Sequence, residues 1–559
     1  LPISDIYPNT PGFVAQIQDF GLKVAQPPQN LTDAVLLLGV ATDGPLYTPI
    51  QITSIAQAEQ IFGITTAAPS ITAAPILAKS LTRGVYEAFQ AGCTNINLVR
   101  VSGTGSSVVI TDTVTPANSV TLTANYPGVK YNGLTATVVA PGTGAGSLTI
   151  TTLDGVAHAF PIPVGGIWGD LMNAVNFSTI NVVATQASTS GNPLATINVV
   201  NSGPTNFSGG NDGTNLTDAQ YNDALVAAYM QLETYGVDVV CPLGAYLQPT
   251  YALDASGNPT IANANSGDTV WFGQNLAQFC ARVSVDTQSC YGVISVAPLS
   301  VPTFTNAVRR GNQLALTKYN FNYLSGYNTN SPAVSNAEVL TTAGAALNIG
   351  YLLNICVGPD PILNNQRLGN YVMDGAATYA GKSTTIQPQI GMTNKTLSSV
   401  VGLSYNYGAS VINTLVGSGP GFVVFNTQQG SVRTVADQTY EVSGGDFAKL
   451  STLRITYASM EAVRQACAGF IGGAANPATI NAMGTAVNSA LAALKSSGAL
   501  LDYTWNINAT AANQIAGTFQ INLQLVPALQ IRKIYVTISL TAPGAITQSG
   551  SSSQQGGVT

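Results

Sequence analysis

The sequence predicts a multidomain protein of α/β class, α+β overall. It should have a discontinuous α/β core, an inserted mostly-β domain, and a C-terminal α+β domain whose last strand either pairs within its own subunit or is donated to the sheet edge of a neighbour. Three observations predict this. Continuous apolar runs of buried-strand type alternate with helical stretches in two separate parts of the chain. Between those parts the composition shifts to Gly, Thr, Ser and Val, with short strands between turns. Near the far end, Phe519, Ile521, Leu523 and Leu525 alternate with Gln520, Asn522 and Gln524. The alternation resumes with Ile534, Val536, Ile538 and Leu540 against Lys533, Tyr535, Thr537 and Ser539. Period-two alternation marks strands with one face on a core. The boundaries that follow are an N-terminal extended arm at 1–29, a core at 30–102 and 216–418, and an insertion at 103–215. The C-terminal domain with its strand arm takes 419–542, and a disordered polar tail takes 543–559.

A chain of 559 residues and 57.4 kDa has room for several domains. Charged residues make up only 8%, against roughly a quarter in an average soluble domain. The polar surface must therefore come from Asn, Gln, Ser and Thr, which suits a protein packed against copies of itself. It also suits a secreted surface-layer or adhesin protein. With a net charge of −6 and no basic run, the chain lacks the means to grip a nucleic-acid backbone. It has no stretch of about 18 apolar residues to span a membrane as a helix. The start, Leu1-Pro2-Ile3-Ser4-Asp5, lacks a signal-peptide pattern, so a cytoplasmic origin is expected. Cysteines 93, 241, 280, 290, 356 and 467 include no Cys-x-x-Cys pair and have one histidine, His158, to assist them. That argues against zinc. They read as small buried hydrophobes, with disulfides made in an oxidising medium as the other reading.

In chain order, Pro8, Pro11, Pro27 and Pro28 keep the first 29 residues extended, with a loose strand around Phe13, Val14 and Ile17. Residues 34–40 and 50–53 read as strands. Ser54 caps a short helix that stops at Gly63, and a second helix over 76–91 ends at Gly92. Residues 95–101 form another buried strand. In the insertion, strands are expected at 119–124, 133–139 and 195–200, with a helix at 167–175. The Gly142-Thr143-Gly144-Ala145-Gly146 run lacks the Lys-Ser/Thr of a phosphate loop and reads as a hairpin turn. Asn211-Asp212-Gly213 lacks a calcium-loop register and reads as a turn too.

The α/β pattern resumes with helices at 221–235 and 270–284, and strands at 237–241 and 291–297. A helix is expected within 333–349. A helix at 394–405 and a strand at 409–415 should close the core, and 421–425 should open the last domain as a strand. There, 453–457 reads as a strand leading into a helix to Phe470, with Asp446 as a cap. A second helix, 477–494, starts with Asn476 as cap and Pro477 in the first position, where no amide is needed.

These pieces carry a resemblance. Thr10-Pro11-Gly12-Phe13-Val14 resembles the Pro-Gly-Val-Tyr-Val opening of contractile tail sheath proteins. Gly39-Val40-Ala41-Thr42-Asp43-Gly44-Pro45, Ile50-Gln51-Ile52-Thr53-Ser54 and Ile61-Phe62-Gly63 are similar to that family's first strand, its next strand and its Phe-Gly helix end. Ala88-Phe89-Gln90-Ala91-Gly92 before Leu98-Val99-Arg100-Val101 is similar to its helix, turn and Arg-bearing strand. Arg454-Ile455-Thr456-Tyr457 is similar to an Arg motif near the C-terminus.

The resemblance implies a structural subunit that polymerises around a tail tube and contracts to drive it through a bacterial envelope. It implies a homo-oligomer in a virion tail assembled in the host cytoplasm, with tail tube, baseplate and tail terminator proteins as partners. No cofactor, metal, direct nucleic-acid contact or stable membrane insertion is expected. Arms carrying Phe13, Val14 and Ile17, and Ile534, Tyr535, Val536, Thr537 and Ile538, would add strands to neighbours. Arg454 and Arg464 would lie on a tube-facing helix.

Catalysis has little to work with. His158 sits between Ala157 and Ala159 in the insertion and reads as a solvent-facing strand position. Asp360, Asp374, Asp437, Glu441 and Asp446 are scattered. A hydrolase is the more distant alternative, behind the surface-layer reading.

Overall fold

The computed structural model describes residues 34–63, 78–214, 216–248, 252–254, 259–260, 270–286, 288–327, 341–342, 345–365, 369–417, 420–441 and 445–530. The expected N-terminal arm with Phe13, Val14 and Ile17 lies outside the described residues. So do the strand with Ile534, Tyr535, Val536, Thr537 and Ile538, and the tail at 543–559.

The first apolar run is β1, Val35–Gly39, buried along its whole length. After β2, Ile50–Ile52, helix α1, Ile55–Phe62, starts where the Ser54 side chain accepts from Gln57 N. It stops at Gly63, whose φ of 87° favours a residue without a β-carbon. Helix α2, Leu81–Gln90, and strand β3, Ile96–Arg100, complete the first stretch of core.

The insertion follows. Its elements are β4 (Ser107–Ile110), β5 (Val120–Ala124), β6 (Thr135–Val139), β7 (Gly146–Thr151), β8 (Ala157–Ile162), α3 (Trp168–Asn176), β9 (Val182–Gln186) and β10 (Ser202–Asn206). They form two antiparallel sheets, β4-β5-β9 and β10-β6-β7-β8. The two sheets enclose a core of their own around Trp168, Leu122, Ile150 and Phe207. The Trp168 indole N–H donates to buried Asp112 Oδ2 at 2.8 Å, which answers the one polar atom of that ring.

The core resumes with α4 (Asp218–Leu232), β11 (Val239–Pro242), β12 (Tyr246–Leu247), α5 (Val270–Asp286), β13 (Tyr291–Val296), α6 (Phe304–Leu316) and β14 (Leu353–Cys356). It ends with β15 (Pro361–Asn365), β16 (Gly369–Val372), α7 (Ala376–Thr384), β17 (Val400–Leu403), α8 (Ala409–Val416), β18 (Phe425–Gln428) and β19 (Ser431–Thr434). Seven strands make the main sheet in the order β2, β3, β1, β11, β13, β14, with β12 continuing beside β13 beyond β11. Only β2 is antiparallel to its neighbour. Helix pairs α2–α7 and α4–α5 pack against it. Cover of this kind is why its strands read as continuous apolar runs.

Last come α9 (Leu450–Ala468), α10 (Pro477–Ser496), β20 (Leu500–Asn508), α11 (Ala511–Ala516) and β21 (Gln520–Pro527).

Several expectations are corrected. Of the stretch 333–349, residues 333–340 and 343–344 lie outside the described residues, and around Gly344, where helix was expected, Thr341–Thr342 and Ala345–Ala346 pair as a small antiparallel hairpin. The order helix then strand at 394–415 is reversed: β17 comes first and α8 second. Val400 and Val401 favour the strand, while Val411, Ile412 and Leu415 recur at helical spacing. Residues 195–200 make one isolated bridge, Ile167 to Thr196, rather than a strand. Phe422, Val423 and Val424 precede β18 and lie buried in the main core. The stretch 453–457 is helical, part of the 19-residue α9. No Gly or Pro interrupts it, and burial overrides the weak preference of Thr452, Ile455 and Thr456 for strand.

Arg100, at the end of β3, holds the insertion to the core. Its guanidinium donates to the carbonyls of Ser102 (2.9 Å), Gly44 (3.2 Å), Pro127 (2.6 Å) and Asp212 (3.2 Å). Gly44 belongs to the core, and the other three belong to the strands of chain entering, crossing and leaving the root of the insertion. Burial lowers its pKa to about 10, still well above neutrality. A planar fork with five donors can serve four carbonyls; an ammonium cannot cover the same spread. Arg100→Met should therefore cost about 3 kcal/mol or more, because buried carbonyls lose their donor. Thermal unfolding should show the loss. Hydrogen exchange should accelerate at 102–104 and 127–129 while β5 and β7 stay protected.

Candidate assembly site

The C-terminal unit is built on two helices and one hairpin. Asn476 Oδ1 accepts from Thr479 N at 2.9 Å, and Pro477 fills the first position of α10, as its sequence predicts. β20 and β21 pair antiparallel, with Trp505 opposite Leu523, Asn506 opposite Asn522 and Ile507 opposite Ile521. Tyr503, Trp505, Ile507, Ile521, Leu523 and Leu525 pack with Ile455, Val463, Val487 and Leu491 of the two helices. The Trp505 indole N–H and the Tyr503 hydroxyl both donate to Asn488 Oδ1 of α10, at 3.2 Å. Gly484 lies beneath the Trp505 ring, where a β-carbon would come within 2.8 Å of it.

The opposite face of the hairpin carries Thr504, Asn506, Gln520, Asn522 and Gln524, all exposed. The sheet has two strands only, so among the described residues neither outer edge pairs with a third strand. An open edge presents a row of unmet N–H and C=O groups and accepts an added strand. β20 itself escaped the sequence reading. Its signal was there, with Tyr503, Trp505 and Ile507 alternating with Asp502, Thr504 and Asn506.

The two arginines expected on an outward helix lie inside the subunit. Arg464 is buried, ion-paired to Glu461 at 2.6 Å, and donates to the carbonyls of Ser284 and Val285 at the end of α5. Arg454 is buried and donates to the Ile386 carbonyl at 2.8 Å. Both tie α9 to the core, because that helix is buried around its circumference through Arg464. Spacing within one helix cannot reveal what covers its second face. Most of the exposed helical surface of the unit lies on α10, with Asn481, Thr485, Ser489 and Ala492.

Nor does Asp446 cap α9. Asp437 Oδ2 accepts from Ser451 N at 2.8 Å, from outside the helix. Asp374 and Asp360 are engaged within the fold. Asp374 accepts from Arg83 Nη2 (2.8 Å), Tyr246 (2.9 Å) and Ala376 N (2.9 Å), while Arg83 Nε lies 2.6 Å from Glu87. Asp360 accepts from Leu299 N at 2.8 Å and from the Tyr405 hydroxyl at 3.4 Å. His158 is a half-buried position on β8, opposite Ile150. Among the described residues no group of three His, Cys, Asp or Glu side chains could hold a metal ion. No described helix is long and apolar enough to cross a membrane. All six cysteines are buried free thiols.

Among the described residues, the fold is multidomain and mixed, and its last sheet is a two-stranded hairpin. Residues 442–541 match the family model of the phage tail sheath C-terminal domain. The sheath tail protein of Listeria innocua has a similar structure, with a TM-score of 0.51 at 14% identity over 92% of this chain and 96% of that one. The sheath tail protein of Desulfitobacterium hafniense gives 0.45 at 13% identity, over 94% and 100% of the two chains. The contracted sheath complex of an extracellular contractile injection system gives 0.45 at 10%, over 95% and 98%. No curated protein sequence matches. Residues 442–541 thus match a phage tail sheath C-terminal domain, and the fold of the chain is similar to that of the Listeria innocua sheath tail protein.

Two measurements follow. Gly484→Val should push Trp505 off α10 and destabilise the subunit by about 1–3 kcal/mol, seen as a lower thermal midpoint. Burial raises the Asp360 carboxyl to about 7, against the pull of its Leu299 hydrogen bond. A folded-state pKa above the unfolded value means stability that is complete below about pH 4 and lost as pH rises through about 7. Burial raises Glu87 to about 7 as well, so it adds to the same decline. Asp360→Asn should make the fall in urea midpoint between pH 5 and 8.5 shallower; an unchanged slope would contradict the assignment.

Proposed function

We propose that this protein is the structural subunit of a contractile tail sheath, of a bacteriophage or a related injection machine. Copies polymerise around a tail tube as stacked rings or helical strands and contract to drive the tube through a bacterial envelope. The observation that carries this is the C-terminal unit: its match to the phage tail sheath C-terminal domain coincides with a two-stranded sheet that has no third strand among the described residues. The arms at 11–18 and 533–540, with Phe13, Val14, Ile17, Ile534, Tyr535, Val536, Thr537 and Ile538, supply strands to the open edges of neighbours. Backbone hydrogen bonds of that kind keep a mesh connected while the globular bodies slide and repack.

Energy for contraction is stored in a metastable extended packing, so the subunit itself performs no catalysis and takes no cofactor. Its partners are other copies, the tube, and the baseplate and terminator proteins at the two ends. Its place is the virion tail, assembled in the host cytoplasm. The sparse charge, 8% of residues, favours contacts made through shape and uncharged hydrogen bonds over salt bridges. Arg454 and Arg464 are engaged inside the subunit, so the tube-facing role passes to the exposed surface of α10.

Negative-stain electron microscopy of the concentrated protein tests the reading. Hollow, striated cylinders wide enough to enclose a tube are expected. Flat lattices would favour the surface-layer alternative instead. Deleting 533–540 should leave folded monomers that no longer polymerise, as judged by sedimentation; normal cylinders from that variant would refute strand donation.

A further inference from the structure

We propose that Gln530 is the anchor of the C-terminal arm, a positioning residue that pins the root of the donated strand to the core body. The inference rests on the strand-donation reading above. β21 ends at Pro527, and three residues later the Gln530 side chain enters a receptacle on the core. Its Oε1 accepts from the Thr393 hydroxyl at 3.0 Å, and its Nε2 donates to Asp437 Oδ2 and Ser451 Oγ, each at 2.6 Å. Gly391 forms the floor, where any β-carbon would overlap the Gln530 amide.

The receptacle is built from three separate stretches of chain. Asp437 is buried, and its Oδ1 accepts from Met392 N at 3.0 Å while its Oδ2 holds the first turn of α9 through Ser451 N. Thr393 Oγ1 accepts in turn from Asp437 N at 3.0 Å. A surface glutamine has no need of a buried carboxylate, a serine, a threonine and a glycine floor. Bonds to an ionised acceptor are also stronger than those between neutral groups.

The consequence is mechanical. Lys533, the first residue of the donated strand, lies three residues beyond Gln530, a reach of at most about 10 Å. Without the anchor the tether would begin at Pro527 and span about 20 Å. A short, fixed tether raises the effective concentration of the strand at a neighbour's edge and removes part of the ordering cost. It also directs pull on the strand into α9 and the 392–393 segment of the core, and away from the small hairpin unit.

The test compares the full chain with Gln530→Ala, measuring the critical concentration for cylinder formation by sedimentation and the thermal midpoint of the unassembled subunit. Gln530→Ala should raise the critical concentration about tenfold, the loss of roughly one charged hydrogen bond, with the subunit folded. A residue that only braced the monomer would lower the thermal midpoint and leave the critical concentration of folded subunit unchanged. That result overturns the proposal. Gly391→Ala, which fills the receptacle but leaves Gln530 intact, should reproduce the assembly defect; should Gln530→Ala misfold, this variant decides. Deletion of 533–540 separates the two ideas. If the deletion still polymerises, strand donation itself fails; if it does not but both point variants assemble normally, only the anchor fails.

Discussion

Helix α9 is covered around its circumference from Leu450 through Arg464, which removes its polar groups from bulk solvent. Everything polar on it must find a partner within the subunit. Thr456 and Ser459 donate back to the carbonyls of Thr452 and Ile455, Arg454 reaches Ile386, and Arg464 reaches Glu461 and the end of α5. Asp437 meets its first turn from the core side. The helix therefore belongs to two bodies at once. Leu450, Leu453 and Tyr457 lie in the main core, while Ile455, Val463 and Cys467 lie in the core of the C-terminal unit. A shared helix of this kind couples the C-terminal hairpin unit to the part that carries the bulk of the subunit.

The insertion is joined differently. It has its own apolar core, so its attachment depends on few contacts, and Arg100 supplies four of them to backbone carbonyls. Lys130 and the Tyr131 hydroxyl add contacts to Asp43 of the core. Carbonyls are present whatever the side chains are. A root held through backbone acceptors places almost no demand on the sequence of the insertion, which is free to differ in composition from the rest.

Much of the core was legible because burial on both faces leaves a simple mark. Residues 34–40 and 291–297 had to be central strands, and Ser54, Gly63, Asn476 and Pro477 bounded helices by local chemistry alone. The errors fell where local pattern and tertiary setting disagree. Residues 453–457 hold Ile and Thr in a strand-like run, yet two cores enclose them as helix. At 394–416 the order of strand and helix was exchanged, since short mixed stretches fit either period. β20 was passed over although Tyr503, Trp505 and Ile507 alternate cleanly. The site residues were the least legible: Arg464 looked like a surface charge, and Gln530 had no pattern at all.

By itself the sequence determined the fold class, the alternation of strands and helices in the core, the β character of the insertion, and the amphipathic strand at the C-terminal hairpin. Those follow from the periodicity of apolar residues and from caps, which act over a few positions. Only the tertiary structure decided which charges stay inside, that Asp437 and not Asp446 meets α9, and where the chain leaves the hairpin for the core. Partners such as Arg83 with Asp374, or Gln530 with Asp437, lie 291 and 93 positions apart. Nothing in the spacing of either residue announces the other, because their meeting is fixed by the packing of whole elements.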